Sequence, residues 1–201
     1  MTLFSIAYFG SVRYFQDLVS IQTICFEIHD HFPKQTFRNR TVILCSQGRQ
    51  LLTAPLIKVN GSKTLTKDIQ ISYSENWQQI QWRAIQTAYA SAPYFEHYAS
   101  DIHRLIFSKN KFLIDKNEEI LNFFIDSWQL HVEYSYTTEY QQKINEFLIR
   151  NFEVDKMHHQ YTQVLFSEAQ FDPAVSILDI LFCEGPMARN ILCSIESAKK
   201  N

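Results

Sequence analysis

The residues best suited to chemistry cluster in the run FPKQTFRNR at positions 32–40. Side chains alternate along an extended chain, so in a strand Lys34, Arg38 and Arg40 share one face. Alternate residues then lie about 6.6–6.8 Å apart, which brings Arg38 and Arg40 into mutual range. Such a row repels itself unless an anion or acidic side chains answer it. Arginine suits the task because its planar fork grips carboxylate or phosphate with two parallel hydrogen bonds. Two readings stay open at this point. The run is either a clamp for a small anionic ligand, with Asn39 adding amide hydrogen bonds, or a basic loop that is solvated or paired internally. Spacing does not choose between phosphate and carboxylate.

Immediately upstream stands EIHDH, residues 27–31. On a strand Glu27, His29 and His31 line the polar face. A histidine beside a carboxylate can be held in one tautomer and act as a general base. Two histidines two residues apart can also ligate a metal, but no third ligand is specified and no zinc-type spacing occurs elsewhere. No metal or cofactor is therefore assigned. His31 is one proton-transfer candidate. Asp179 is the other, because AVSILDILF at 174–182 is apolar nearly all round and should be buried. A lone carboxylate there is costly unless paired, hydrogen-bonded or facing a pocket. The expected partner is Lys34, Arg38 or Arg40, which would join the two ends of the chain in one charged network. In QWRAIQTAYASAPYFEHY, residues 81–98, Trp82, Ile85 and Tyr89 share a helix face. They are either core or the wall of a sugar- or base-stacking pocket. Arg83 falls on the polar face, as a surface residue or a further ligand contact.

The elements that must position these residues follow from hydrophobic period. Residues 3–8 and 22–29 read as strands, and 11–19 between them as an amphipathic helix. TVILCS and LLTAPLIK, separated by Gly48, read as an antiparallel hairpin. A further strand is expected over 67–72. Helices are expected at 76–91, with Trp77, Ile80, Ala84 and Ala88 inward and a capping box of Asn76 with Gln79, and from Pro93 to Phe107. Another opens on an Asp115–Glu118 capping box, with Ile120, Phe123, Phe124 and Trp128 inward. Residues 131–137 and 161–166 read as strands. Residues 140–150, the stretch from Asp172 to Cys183, and 187–198 read as helices, with Gly185–Pro186 as a stop signal. The expected architecture is an α/β layered domain spanning 1–201, with a mixed sheet, an antiparallel hairpin and several helices. An α+β arrangement is the alternative.

Composition excludes more than it selects. The chain has 201 residues, a net charge of −2 and four glycines, at positions 10, 48, 61 and 185. Spacing this wide excludes the P-loop, the dinucleotide-binding turn and the hydrolase nucleophile elbow, each of which needs close glycines. Near-neutral charge argues against a general nucleic-acid binder. No apolar run approaches the roughly 20 residues of a membrane span, and the amino-terminal stretch lacks the basic region of a signal peptide. Cys25, Cys45, Cys183 and Cys193 form no C-x-x-C pair. They are expected as reduced thiols in a cytoplasmic protein.

Taken together, KQTFRNR at 34–40, TVILCSQGRQLLTAPL at 41–56, DIQIS at 68–72, WQQIQWRAIQTAYASAPYFEHY at 77–98 and YTQVLFSEAQFDPAVSILDILFCEGP at 161–186 resemble the bacterial WbqC-like protein family. A departure lies at Tyr8–Phe9, followed here by Gly10–Ser11 where the family often carries prolines. The resemblance implies a link to surface-polysaccharide synthesis. It also implies transfer of an aminoacyl or similar acyl group to a sugar nucleotide or polysaccharide precursor, without a catalytic set to carry over. The ligand would be small and anionic or sugar-containing. The alternative is a non-catalytic protein that binds a small anion or assists assembly.

Overall fold

The computed structural model describes residues 2–21, 23–33, 36–141, 161–164, 171–172 and 174–193. Strand β1 (Thr2–Phe4), helix α1 (Val12–Ile21) and strand β2 (Thr23–Phe26) form a β-α-β unit, with β1 and β2 parallel. Strand β7 (Glu133–Tyr136) adds in parallel on the other side of β2, giving the order β1-β2-β7. Both flanking strands are shorter than hydrophobic pattern suggested. Ile24, Cys25 and Phe26 are all buried, as expected of a central parallel strand covered on both faces. The alternation expected through His29 therefore fails, and β2 ends at Phe26. Strand β1 ends at Phe4. The chain then turns at Tyr8–Phe9, where Phe9 takes a φ of 43° and the buried Tyr8 hydroxyl donates to Gln81 Oε1 at 2.7 Å.

The hairpin forms, but its second strand starts earlier than expected, at Gly48, and ends at Thr53 instead of running to 58. Strand β3 (Arg40–Cys45) pairs antiparallel with β4 (Gly48–Thr53), from Arg40 opposite Thr53 to Cys45 opposite Gly48. Gly48 is the first residue of β4, and its φ of 105° closes a tight turn that a β-carbon would strain. Two short strands, β5 (Leu56–Ile57) and β6 (Gln70–Ile71), pair antiparallel beside it. The protein is thus α/β with both parallel and antiparallel pairing, distributed over separate small sheets rather than one mixed sheet.

Helix α2 (Trp77–Tyr89) forms where expected, but its inward face is rotated. Trp77, Gln81, Trp82, Ile85, Ala88 and Tyr89 are buried, whereas Ile80 is 65% exposed. Trp77 and Ala88 are buried in either orientation, and burying Trp82, Ile85 and Tyr89 outweighs burying Ile80 and Ala84, since buried area sets the gain. Asn76 makes no side-chain capping bond. Helices α3 (Phe95–Phe107) and α4 (Leu113–Trp128) follow. The latter opens at Phe112, so Asp115 sits in its first turn and does not cap it. Helix α5 (Ile177–Glu184) is capped by Ser176, whose Oγ accepts from the Leu178 amide at 3.3 Å. Asp172, expected as that cap, accepts from the Ala174 amide and pairs with Arg49 instead. The short helix α6 (Ala188–Cys193) follows. Tyr161–Val164 form no strand. The helix expected at 140–150, apart from its first two positions, and the end of the 187–198 helix lie outside the described residues.

The carboxyl-terminal third is threaded into the amino-terminal one. The Ser176 amide donates to Val42 O, the Ile177 amide to Gly10 O, and the Val12 amide to Val175 O. Segment 174–177 therefore joins the start of α1 to strand β3. Phe15 packs on Phe124, and Phe124 on Trp128, with ring centroids 5.3 and 5.1 Å apart. These rings tie α1 and α4 into one core.

Candidate functional site

The segment leaving the carboxyl end of β2 carries Asp30, Phe32, Arg38 and Asn39 before it enters β3 at Arg40. In open parallel α/β sheets this end is where ligand-binding loops gather. The segment is not the extended row that spacing suggested. Phe37 and Arg38 lie in a turn and Asn39 in a bend, so period-two alternation does not apply. Backbone contacts hold the turn. The Tyr8 amide donates to Phe37 O, the Asn117 side chain to Arg38 O at 2.7 Å, and the Ala54 amide to Asn39 O. Lys34 lies outside the described residues.

As a result Arg38 and Arg40 part company. Arg38 points inward and is 2% exposed. Its two terminal nitrogens meet the two carboxylate oxygens of Asp30 at 3.0 and 2.7 Å, and one also donates to Thr66 Oγ1 at 2.6 Å. The Thr66 hydroxyl in turn donates to Asp30 Oδ1 at 2.6 Å. Arg38 is thus a paired, structural cation, and its expected ligand face is taken by Asp30.

Arg40 has a different fate. It is half-buried at the start of β3, with its Nε enclosed and without a hydrogen-bond partner among the described residues. No described carboxylate lies within ion-pair distance of it. Arg40 lines a hollow of about 310 Å³, together with Phe32, Asn39, Thr53, Ala54, Pro55, Leu56 and Lys58. The Asn39 amide nitrogen is held by Ala54 O at 2.9 Å, so Asn39 braces this wall. Lys58 likewise has no carboxylate within 4 Å among the described residues, and its Nζ rests 5.1 Å from the centroid of the Phe32 ring. Arg38 faces the same ring at 5.9 Å. Among the described residues, the hollow therefore has two cations, an aromatic wall and no acidic lining residue.

The remaining candidates do not converge here. His31 is exposed, with Nδ1 3.1 Å from Lys63 O. Glu27 is fully buried and its carboxylate accepts from the His29 amide, the Thr137 hydroxyl and the Gln141 amide. His29 Nδ1 stands 3.2 Å from that same Thr137 hydroxyl. These bonds close the end of the parallel sheet rather than face a cleft. Trp82 stacks on Phe95 and meets the edge of His103. Tyr89 is fully buried, packs on Phe182 and accepts from the Leu44 amide. Both are core side chains, and neither lines the hollow. Arg83 is exposed on the outer face of α2.

Asp179 is buried as expected, but the network with the basic run does not form with Arg38 or Arg40. Its Oδ2 accepts from the Tyr161 hydroxyl at 2.7 Å and from Gln163 Nε2 at 3.0 Å. Burial pushes its carboxyl above the ordinary range, while the hydrogen bonds from Tyr161, Gln163 and Tyr89 pull it back. Neutral donors suffice because they compensate desolvation without a second buried charge.

Of the lining residues only Asn39 and Arg40 were candidates from sequence; Phe32 and Lys58 are the chemically telling ones among those missed. Phe32 stands at the head of the basic run, and an aromatic followed by proline was its signal. Lys58 had no local signal, since the hairpin between 40 and 53 carries it back to the site.

With this geometry in view, the WbqC-like protein family matches residues 7–156. The chain belongs to the WbqC-like protein family. The match takes in the hollow and strands β2 and β7 of the parallel sheet, while β1 precedes it, and it runs through 99–156, beyond the segments that carried the resemblance there. It ends before 161–186. No curated protein and no solved structure matches the chain significantly. Among the described residues, no helix is long and apolar enough to cross a membrane, and no group of three or more His, Cys, Asp or Glu side chains is placed to hold a metal.

Proposed function

We propose that the chain binds the negative group of a sugar nucleotide or surface-polysaccharide precursor in the hollow at Arg40, and that this binding serves transfer of an acyl-type group to that ligand. The WbqC-like membership supports the polysaccharide link through the family name alone. The observation that carries the binding step is Arg40, a half-buried guanidinium that lines a hollow and has no acidic partner among the described residues. A buried or half-buried charge left unpaired is costly, and an anionic guest removes that cost. A second reading, anion binding without turnover, draws support from a lining in which the described residues include no His, Asp or Glu. Transfer would then need its proton acceptor from elsewhere, and His31 is the adjacent candidate by chain position.

Thermal shift with UDP-N-acetylglucosamine tests the binding step. Ligand at 100 times its Kd adds about 2.7 kcal/mol, a rise of roughly 5–11 °C for a chain of this size. Arg40→Met should cut the stabilisation to about 0.4–1.4 kcal/mol at that concentration, for a tenfold to hundredfold loss of affinity, and Arg83→Met should leave it intact. A shift that survives Arg40→Met unchanged overturns the assignment. Mass spectrometry of the sugar nucleotide after incubation with acyl donors separates transfer from binding alone.

A further inference from the structure

We infer that the hollow is a seat for a diphosphate group rather than a carboxylate, with Arg40 and Lys58 each engaging one phosphoryl unit; the inference rests on the reading of the hollow given above. Arg40 and Lys58 are the cations of the lining among the described residues, and no carboxylate lies among those. A carboxylate carries one charge, and the arginine fork alone satisfies it. Lys58 would then remain uncompensated beside it. A diphosphate supplies a separate anionic group to each cation, and both charges are answered.

The two cations also differ in how they are held. Arg40 is fixed by the first ladder position of β3, opposite Thr53, with its Nε enclosed and unpartnered. Lys58 follows β5 on a flexible stem, and its ammonium rests on the face of Phe32 rather than on an acid. Cation–π contact of this kind holds a charge loosely. Lysine, as a compact point charge with rotatable donors, suits phosphate oxygens that come in several orientations. Phe32 thus keeps Lys58 near the hollow while leaving it available, and the guest draws it from the ring. Ala54, Pro55 and Leu56 form the apolar side of the hollow, against which the body attached to the diphosphate would lie.

Isothermal titration of the full chain with inorganic pyrophosphate and acetate, at fixed ionic strength, tests this directly. UDP-glucose and geranyl diphosphate, added as two further arms, distinguish a nucleotide-linked from a lipid-linked source. Pyrophosphate should bind at least about tenfold more tightly than acetate. Arg40→Met and Lys58→Met should each weaken pyrophosphate by about tenfold to a hundredfold, the loss of one charged hydrogen-bond partner. Lys58→Arg should retain most of the affinity, which separates lost charge from lost fold. If acetate binds as tightly as pyrophosphate, or Lys58→Met leaves pyrophosphate affinity unchanged, the diphosphate assignment fails while the hollow remains an anion site. If no anion, UDP-glucose included, binds in a way that depends on Arg40, the reading of the hollow itself fails.

Discussion

Replacing Arg38 separates a structural cation from a ligand-binding one. Arg38→Met keeps most of the side-chain volume and removes the charge. It leaves Asp30, 9% exposed, with a carboxylate whose two oxygens each lose a guanidinium contact. It also strips Thr66 of its donor. Breaking a buried ion pair by removing one partner costs about 3–5 kcal/mol. At roughly 2–4 °C per kcal/mol for a chain of this size, Tm should fall by about 6–20 °C without any ligand present. Arg40→Met is the internal control. It strands no ionic partner and removes an Nε that is enclosed without a hydrogen-bond partner among the described residues, so its apo stability should not fall and should rise by up to about 1 kcal/mol. Urea denaturation and calorimetry on the two variants supply the numbers. A cycle adding Asp30→Ala should show coupling of at least about 1 kcal/mol, because the two side chains touch. Should Arg38→Met melt within 2 °C of the parent, a threshold of about 1 kcal/mol or less, the pair is not holding the turn, and the separation of Arg38 from Arg40 is wrong.

Other consequences are as specific. Asp179→Asn preserves an acceptor for Tyr161 and Gln163 and removes a carboxyl whose pKa burial has raised. A raised carboxyl pKa means stability is fully present below the unfolded value and lost as pH rises through the folded one. The variant should therefore lack that loss, and its advantage over the parent should grow from pH 4 to pH 7; parallel stability profiles would contradict this. Lys116 is fully buried, donates to Leu105 O at 2.7 Å and to both oxygens of Ser108, and desolvation lowers its pKa to about 8. Its contribution to stability is present above the unfolded value and is lost as pH falls through 8. The stability of the parent relative to Lys116→Met should thus rise between pH 8 and 10 in urea titrations, and a constant difference over that window would contradict this. The same substitution should cost about 1–3 kcal/mol at pH 7, since it removes the ammonium from the carbonyls at the end of α3, leaving Leu105 O with the Ser108 hydroxyl and Ser108 O with a long bond from Tyr73. Gly185 has a φ of 52°, and a β-carbon there would lie 2.5 Å from the Tyr94 ring. Gly185→Ala should accordingly destabilise by more than about 1 kcal/mol, read as a Tm drop by calorimetry.

Sequence by itself determined the elements whose signals are local. Helix α1, the β3–β4 hairpin and α2 to α4 were legible from hydrophobic period and from Gly48, because those signals act over a few residues. The stop at Gly185 was legible for the same reason. The buried state of Asp179 was also readable, since an apolar helix has no face to give to solvent. Tertiary structure alone decided which stripe of α2 turned inward, because Ile80, Trp82 and Tyr89 offer two competing faces and only the neighbouring helices choose. It alone ended β2 at Phe26, where burial on both faces erases the alternation that marks a half-exposed strand. Above all it decided the fate of the basic run. A strand would have kept Arg38 and Arg40 together, but contacts from Tyr8, Asn117 and Ala54, remote in the chain, fold that run into a turn. One arginine is thereby sent to Asp30 in the interior and the other to a hollow shared with Lys58. Charge and spacing are properties of the chain, whereas the partner each charge meets is a property of its packing.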